Sequence, residues 1–175
     1  DLFRTGRVRV ARAYLHSLLH CIFLHVFPER DSEGNPAVDV QYWNLACDIA
    51  VENMIDGLYL KCVHQPASMV KRQALSLILE EGKVPTAQRI YRRLQTLHLP
   101  ENKMQELRRE FSQDDHSKWY ENHPNSPQMS QRKKNWDDIR NRMQTEMETF
   151  SKEAGQGGET LADQLRAQNR NRYDY

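Results

Sequence analysis

Apolar residues recur at helical spacing from Val8 to Phe27, and Pro28 with the polar stretch from Asp31 to Pro36 closes the run, which predicts a first core helix. A second helix is expected from about Val40 to Leu58. Tyr42, Leu45, Ile49 and Met54 form its stripe, Trp43, Ala46 and Ala50 widen it, and Asn44, Asp48 and Glu52 mark a polar side. Beyond Pro66, the spacing of Ala67, Val70, Ala74, Leu77 and Ile78 predicts a third, shorter helix ended near Gly82. Pro85 and Thr86 then open a fourth, to about Leu97, and Pro100 opens a fifth through Phe111.

The rhythm breaks from Ser112 to Ser130, where a polar and aromatic segment is followed by Pro124 and Pro127, so a loop is expected. A long, highly charged helix should run from about Gln131 to Ala154. Gly155, Gly157 and Gly158 predict a flexible joint before a last helical stretch ending in Asn169-Arg170-Asn171-Arg172. No repeat and no glycine-rich phosphate loop interrupts this order, and the fold class is mostly α, with at most a small β element.

Composition narrows the partners. At 175 residues the chain suits one sizeable core, and its net charge of +1 offers no global field for nucleic acid or an anionic membrane. Arg89, Arg92 and Arg93, with Arg170, Arg172 and Tyr173 near the end, are the local basic clusters, and nucleic-acid binding is the least favoured reading. The longest apolar run, Leu15 to Phe27, carries three histidines and is too short to span a bilayer, and no apolar leader stands before it. Cys21, Cys47 and Cys62 form no C-x-x-C pair, which argues against a disulfide framework or a cysteine zinc cluster and favours a reducing, cytoplasmic setting.

The chemistry concentrates at His16 and His20. Four residues of helix advance by roughly 400°, so the second imidazole lies about 40° round from the first and about 6 Å further along, an edge suited to zinc. Asp48 and Glu52 are also one turn apart, and if the first two helices pack side by side the four groups converge. The competing reading has these acids merely orient the histidines or pair with Arg9 and Arg12. A continuous helix would carry His25 roughly 140° round from His20, so it joins only if the helix breaks early. Asp114-Asp115-His116 falls in the expected loop, where Trp119 and Tyr120 would anchor it and bring Asp115 or His116 over the metal.

Taken together, H-x-x-x-H-x-x-x-x-H at 16 to 25, Trp43-Asn44-Leu45-Ala46-Cys47-Asp48-Ile49-Ala50-Val51-Glu52-Asn53 and Asp114-Asp115-His116-Ser117-Lys118-Trp119 resemble the metallopeptidase-like domain at the N-terminus of bacterial VWA-like proteins. The resemblance covers most of the chain. It implies a zincin-like helical domain over 1–158 and a tail over 159–175 that leads into a VWA-like domain. It also implies zinc held by His16, His20 and Asp48, a peptide or protein substrate, and a MoxR-type AAA+ ATPase as partner. One departure matters: Ser17 stands where zincins carry the general-base glutamate. Glu52, Asp115 and His116 are the candidates to replace it, and losing a positioned base typically removes about 10²–10⁴-fold of rate, so hydrolysis should be weak or absent. The alternative is a non-catalytic interaction module whose charged helix, 131–154, docks the ATPase.

Overall fold

The structure, a computed structural model, describes residues 10–120 and 126–170; within 148–158 and 168–170 it describes the helical backbone alone. Its helices are α1 (Val10–Ile22), α2 (Val40–Gly57), α3 (Met69–Ile78), α4 (Ala87–Leu97), α5 (Glu101–Phe111) and α6 (Pro127–Arg170), with one 3-10 turn at Ser117–Trp119. The fold is mostly α, as the periodicity predicts. The β content among the described residues is an isolated antiparallel bridge between Arg30 and Pro36.

Polar residues just outside the apolar runs fix the helix starts. Asp39 caps α2 by accepting from the backbone N–H of Gln41 and Tyr42, Ser68 caps α3 through Lys71 N–H, and Thr86 caps α4 through Arg89 N–H. α2 is central: α1, α4, α5 and α6 all pack against it. That position explains why Leu45 to Glu52 are buried without interruption, including the supposed polar side at Asp48 and Glu52. One apolar cluster, with Leu45, Ile49, Ile90, Leu94 and Phe111, lies where α4 and α5 meet α2, and α3 closes it by packing on α4 and α5. Another, with Leu19, Phe23, Met54, Ile55 and Leu165, joins α1, α2 and α6.

Three boundaries differ from the sequence expectation. α1 stops at Ile22 rather than Phe27, for a reason that bears on the site; its expected start at Val8 lies outside the described residues. α6 begins at Pro127 rather than Gln131, because Ser126 Oγ accepts from Met129 N–H and proline occupies the first helical position. The joint expected at Gly155, Gly157 and Gly158 is absent, since α6 runs through it. Each glycine costs a helix about 1 kcal/mol, but the burial of Ala162 and Leu165 beyond it holds the rod to the core. α6 also crosses α2 closely at Gly57, where a Cβ would sit 3.2 Å from Thr160 Cγ2.

Candidate metal centre

α1 turns its His16 and His20 inward, so both rings are buried against α2. On the facing side of α2, Asp48 is fully buried. The segment after α5 then folds back over them. Trp119 stacks on the His116 ring with centroids 3.9 Å apart and meets the His20 ring edge-on at 4.9 Å. Tyr120 donates its hydroxyl hydrogen to Asn44 Oδ1, which anchors the segment as the two aromatic residues predict.

The result is a group of five, His16, His20, Asp48, Asp114 and His116, whose ligand atoms all lie within 4.8 Å of one another. His16 Nε2 and His20 Nε2 are 2.9 Å apart. Asp48 Oδ1 is 3.4 Å from each and 3.2 Å from His116 Nε2, which in turn is 2.7 Å from Asp114 Oδ1. Donors bonded to one zinc at about 2.0 Å would be separated by about 3.3 Å in a tetrahedron, closing somewhat at higher coordination, so these spacings suit a single small cation. Two buried atoms argue the same way: Asp48 Oδ1 and His116 Nε2 lie close to each other and to Asp114 but meet no partner in hydrogen-bond geometry, an arrangement costly in a core unless something else receives them. Two carboxylates, with the three imidazoles neutral, also balance the charge of a divalent cation.

The far sides of the rings are held. His16 Nδ1 bonds Glu52 Oε1 at 3.0 Å, and His20 Nδ1 meets His25 Nδ1 at 3.1 Å. His25 arrives there because α1 ends in a Schellman motif: Leu24 takes a left-handed φ of 59°, Leu24 N–H bonds Cys21 O, and His25 N–H bonds His20 O. The spacing rule placed His25 away from His20 on a continuous helix; the early break reverses that.

Two of the expected residues play other parts. Glu52 does not face the centre's open side: besides His16 it accepts from Arg12 and, at 3.2 Å, from Lys71. Arg12 Nη2 and Lys71 Nζ each also reach Asp56 at 2.8 Å. Glu52 is therefore a positioning group inside a neutralised ion network, which matches the alternative expectation of a pair with Arg12. Asp115 is exposed and accepts from Ser117 N–H at 2.9 Å and Ser117 Oγ–H at 3.0 Å, shaping the turn instead of reaching the metal site. His116 is buried among the ligand atoms. Asp114 is the residue that sequence reasoning passed over; its neighbour was chosen because a loop gives no period from which to tell inward from outward.

Protonation follows this layout. Burial alone would lower the His16 pKa, but the surrounding carboxylates of Asp114, Asp48 and Glu52 overcome it and raise the ring to about 11. His116 rises to about 9 in the same way, against its own burial, through Asp114 and Asp48. Burial dominates at His20 and His25 and lowers both. Asp48 and Asp114, although burial raises them, end well below the usual carboxylate range beside these imidazoles. Without a cation, the centre thus keeps two protons near two carboxylates.

A cleft of about 480 Å³ lined by Asn44, Ser112, Asp114, His116 and Tyr120 opens over one side of the group. Asp114, with 28% of its side chain accessible, is the acid of the group that lines it, and the exposed Asp115 lines it as well. Ser17 is exposed on α1. Of the basic clusters, Arg89 and Arg93 bond the carbonyls of Val84 and Leu77; Arg172 and Tyr173 lie outside the described residues. Cys47 is buried, Cys21 partly buried and Cys62 exposed, all as free thiols. No described helix is long and apolar enough to cross a membrane. No family model, curated protein or solved structure matches the chain.

Proposed function

We propose that the domain is a zinc-dependent centre of metallopeptidase-like design with weak peptide hydrolysis. Its metal would be held by His16, His20, His116 and Asp48, with Asp114 at the open side. The single observation that carries the reading is the convergence of three imidazole Nε2 atoms and two carboxylate oxygens within 4.8 Å, two of these five atoms being buried without a hydrogen bond. Zinc bound there would supply Lewis-acid chemistry for a peptide carbonyl. Glu52 holds the His16 ring in register through Nδ1, and Trp119 holds His116 by stacking. Asp114 is the carboxylate of the group on the cleft, and with His116 Nε2 engaged by the metal it would be free to take a proton from a water entering there, the task that Ser17 cannot perform.

A second reading keeps the metal and drops the hydrolysis. It is favoured by the depth of the centre: Asp48 and His16 are 0% exposed, and five protein donors leave little room for a substrate. Here the domain is an interaction module, and a MoxR-type AAA+ ATPase is the partner suggested by the family resemblance. Elemental analysis of untagged protein tests the common part: about one zinc per chain is expected, lost in His16→Ala/His20→Ala, and metal-free yet well-folded wild type would overturn both readings. Chelator-sensitive cleavage of an unfolded casein substrate, abolished by Asp114→Asn, would separate hydrolase from module.

A further inference from the structure

A second cavity, of about 740 Å³, lies on the other side of His25, between the segment after α1, α4 and the start of α6. Its volume falls in the range of small-molecule sites. Phe23, Phe27, Trp43 and Tyr91 give it an aromatic wall. Three side chains that line it, His25, Trp43 and Gln88, each hold a buried polar atom without a hydrogen bond: His25 Nε2, Trp43 Nε1 and Gln88 Oε1. Unsatisfied polar atoms are scarce in protein cores, and three on one cavity call for an occupant: Trp43 Nε1 needs an acceptor, while Gln88 Oε1 needs a donor such as water.

Charge says what kind. Arg140 is ion-paired with Asp137, and the other charged lining residues are Arg92, Lys133 and Lys134 against the single carboxylate of Glu29. Trp43 Nε1 can only donate. If His20 gives its Nε2 to a metal, its Nδ1 carries the proton and donates to His25 Nδ1, which leaves His25 Nε2 as another donor. That last donor assignment rests on the metal reading; the cavity, its cations and its tryptophan do not.

We propose that this cavity binds a small organic anion, an aromatic or branched carboxylate whose apolar body meets Phe23, Phe27 and Tyr91 and whose carboxylate accepts from the Trp43 indole N–H and faces the cations Arg92, Lys133 and Lys134. His25 touches both this site and His20, so the ligand would sit one side chain away from the metal centre.

Titration of full-length protein with 1-naphthoate, followed by 15N-resolved NMR, tests the proposal. Saturable binding is expected, with the Trp43 indole N–H resonance moving and that of Trp119 unmoved. Neutral 1-naphthamide, and 1-naphthoate against Lys133→Glu/Lys134→Glu, should each bind at least ~10-fold more weakly. Because those lysines are exposed, the double variant should keep its fold and metal content. Equal affinity for acid and amide, an unchanged affinity in the double variant, a shift at Trp119 without one at Trp43, or no binding by 1-naphthoate would each overturn it. Metal content measured on the same samples shows separately whether the zinc reading fails.

Discussion

Glu52 and Asp48 sit one turn apart on the same helix, equally buried, and their surroundings are opposite. Around Glu52 the chain supplies its own cations: Arg12 and Lys71 stand against Glu52 and Asp56, and each charge has a partner at hydrogen-bonding distance. Around Asp48 the chain supplies no permanent cation, only imidazoles and a second acid, and although three imidazole nitrogens come within 3.2–3.4 Å of Asp48 Oδ1, none meets it in hydrogen-bond geometry. A buried carboxylate must be balanced by something. At Glu52 the balance is internal and belongs to the fold; at Asp48 it is left to two protons or to a divalent ion. Residue type alone does not separate a structural acid from a ligating one. The identity of the charges facing it does.

The contrast can be broken most directly by neutralising each acid in turn. Asp48→Asn should weaken zinc binding by about 10³-fold in competition with a chromophoric chelator, about 4 kcal/mol, a larger loss than that of metal-free stability at pH 7, which falls because His16 and His116 lose one of the carboxylates that hold their protons. Glu52→Gln should do the reverse, costing about 3 kcal/mol of stability in denaturant unfolding because Arg12 and Lys71 lose their shared anion; its metal affinity should drop less, by roughly 10–100-fold through the loosened His16 ring. If the two variants had the same profile, the division between a fold acid and a site acid would fail.

The proton inventory sharpens the comparison. His16 is raised to about 11 and His116 to about 9 in the metal-free state, both above the ordinary 6.5, so both carry protons at pH 7. A cation must displace them, so zinc affinity should rise about 100-fold per pH unit through neutrality, and calorimetry in buffers of different ionisation enthalpy should report release of about two protons. Above pH 9 the slope should fall to about one. Stability of the metal-free form has the opposite sign: the His116 contribution is fully present below 6.5 and fades as pH climbs through about 9. The smallest effect is expected from Ser112→Ala, which removes the 2.8 Å bond to Asp48 Oδ2 and should cost about 1 kcal/mol, with little change in metal content.

Much of the scaffold was legible because it rests on local rules. The caps at Asp39, Ser68 and Thr86 and the apolar periods of α1 to α5 are encoded within a few residues of where they act. The pairing of His16 and His20 with Asp48 was legible too, since helical spacing fixes which side chains share a face. Two features of the site were not. Asp114 was missed in favour of Asp115 because orientation in an aperiodic loop is set by Trp119 and Tyr120 docking at a distance. Whether His25 would join was left to an early break of the first helix, and that break could not be read because it depends on Leu24 adopting a conformation that favours glycine. The course of α6 through its glycines was likewise decided by burial of Ala162 and Leu165, which no local window contains.

The left-handed residue at position 24 has a wider consequence. Holding a leucine there costs on the order of 1 kcal/mol, a tension that only well-packed neighbours can sustain. Any event that slackens α1 at its C-terminal end would let that tension relax by extending the spiral, swinging the third imidazole away from the second. The turn therefore works as a latch joining the integrity of the first rod to the alignment of the histidine chain, so that melting of one and misalignment of the other should be seen together.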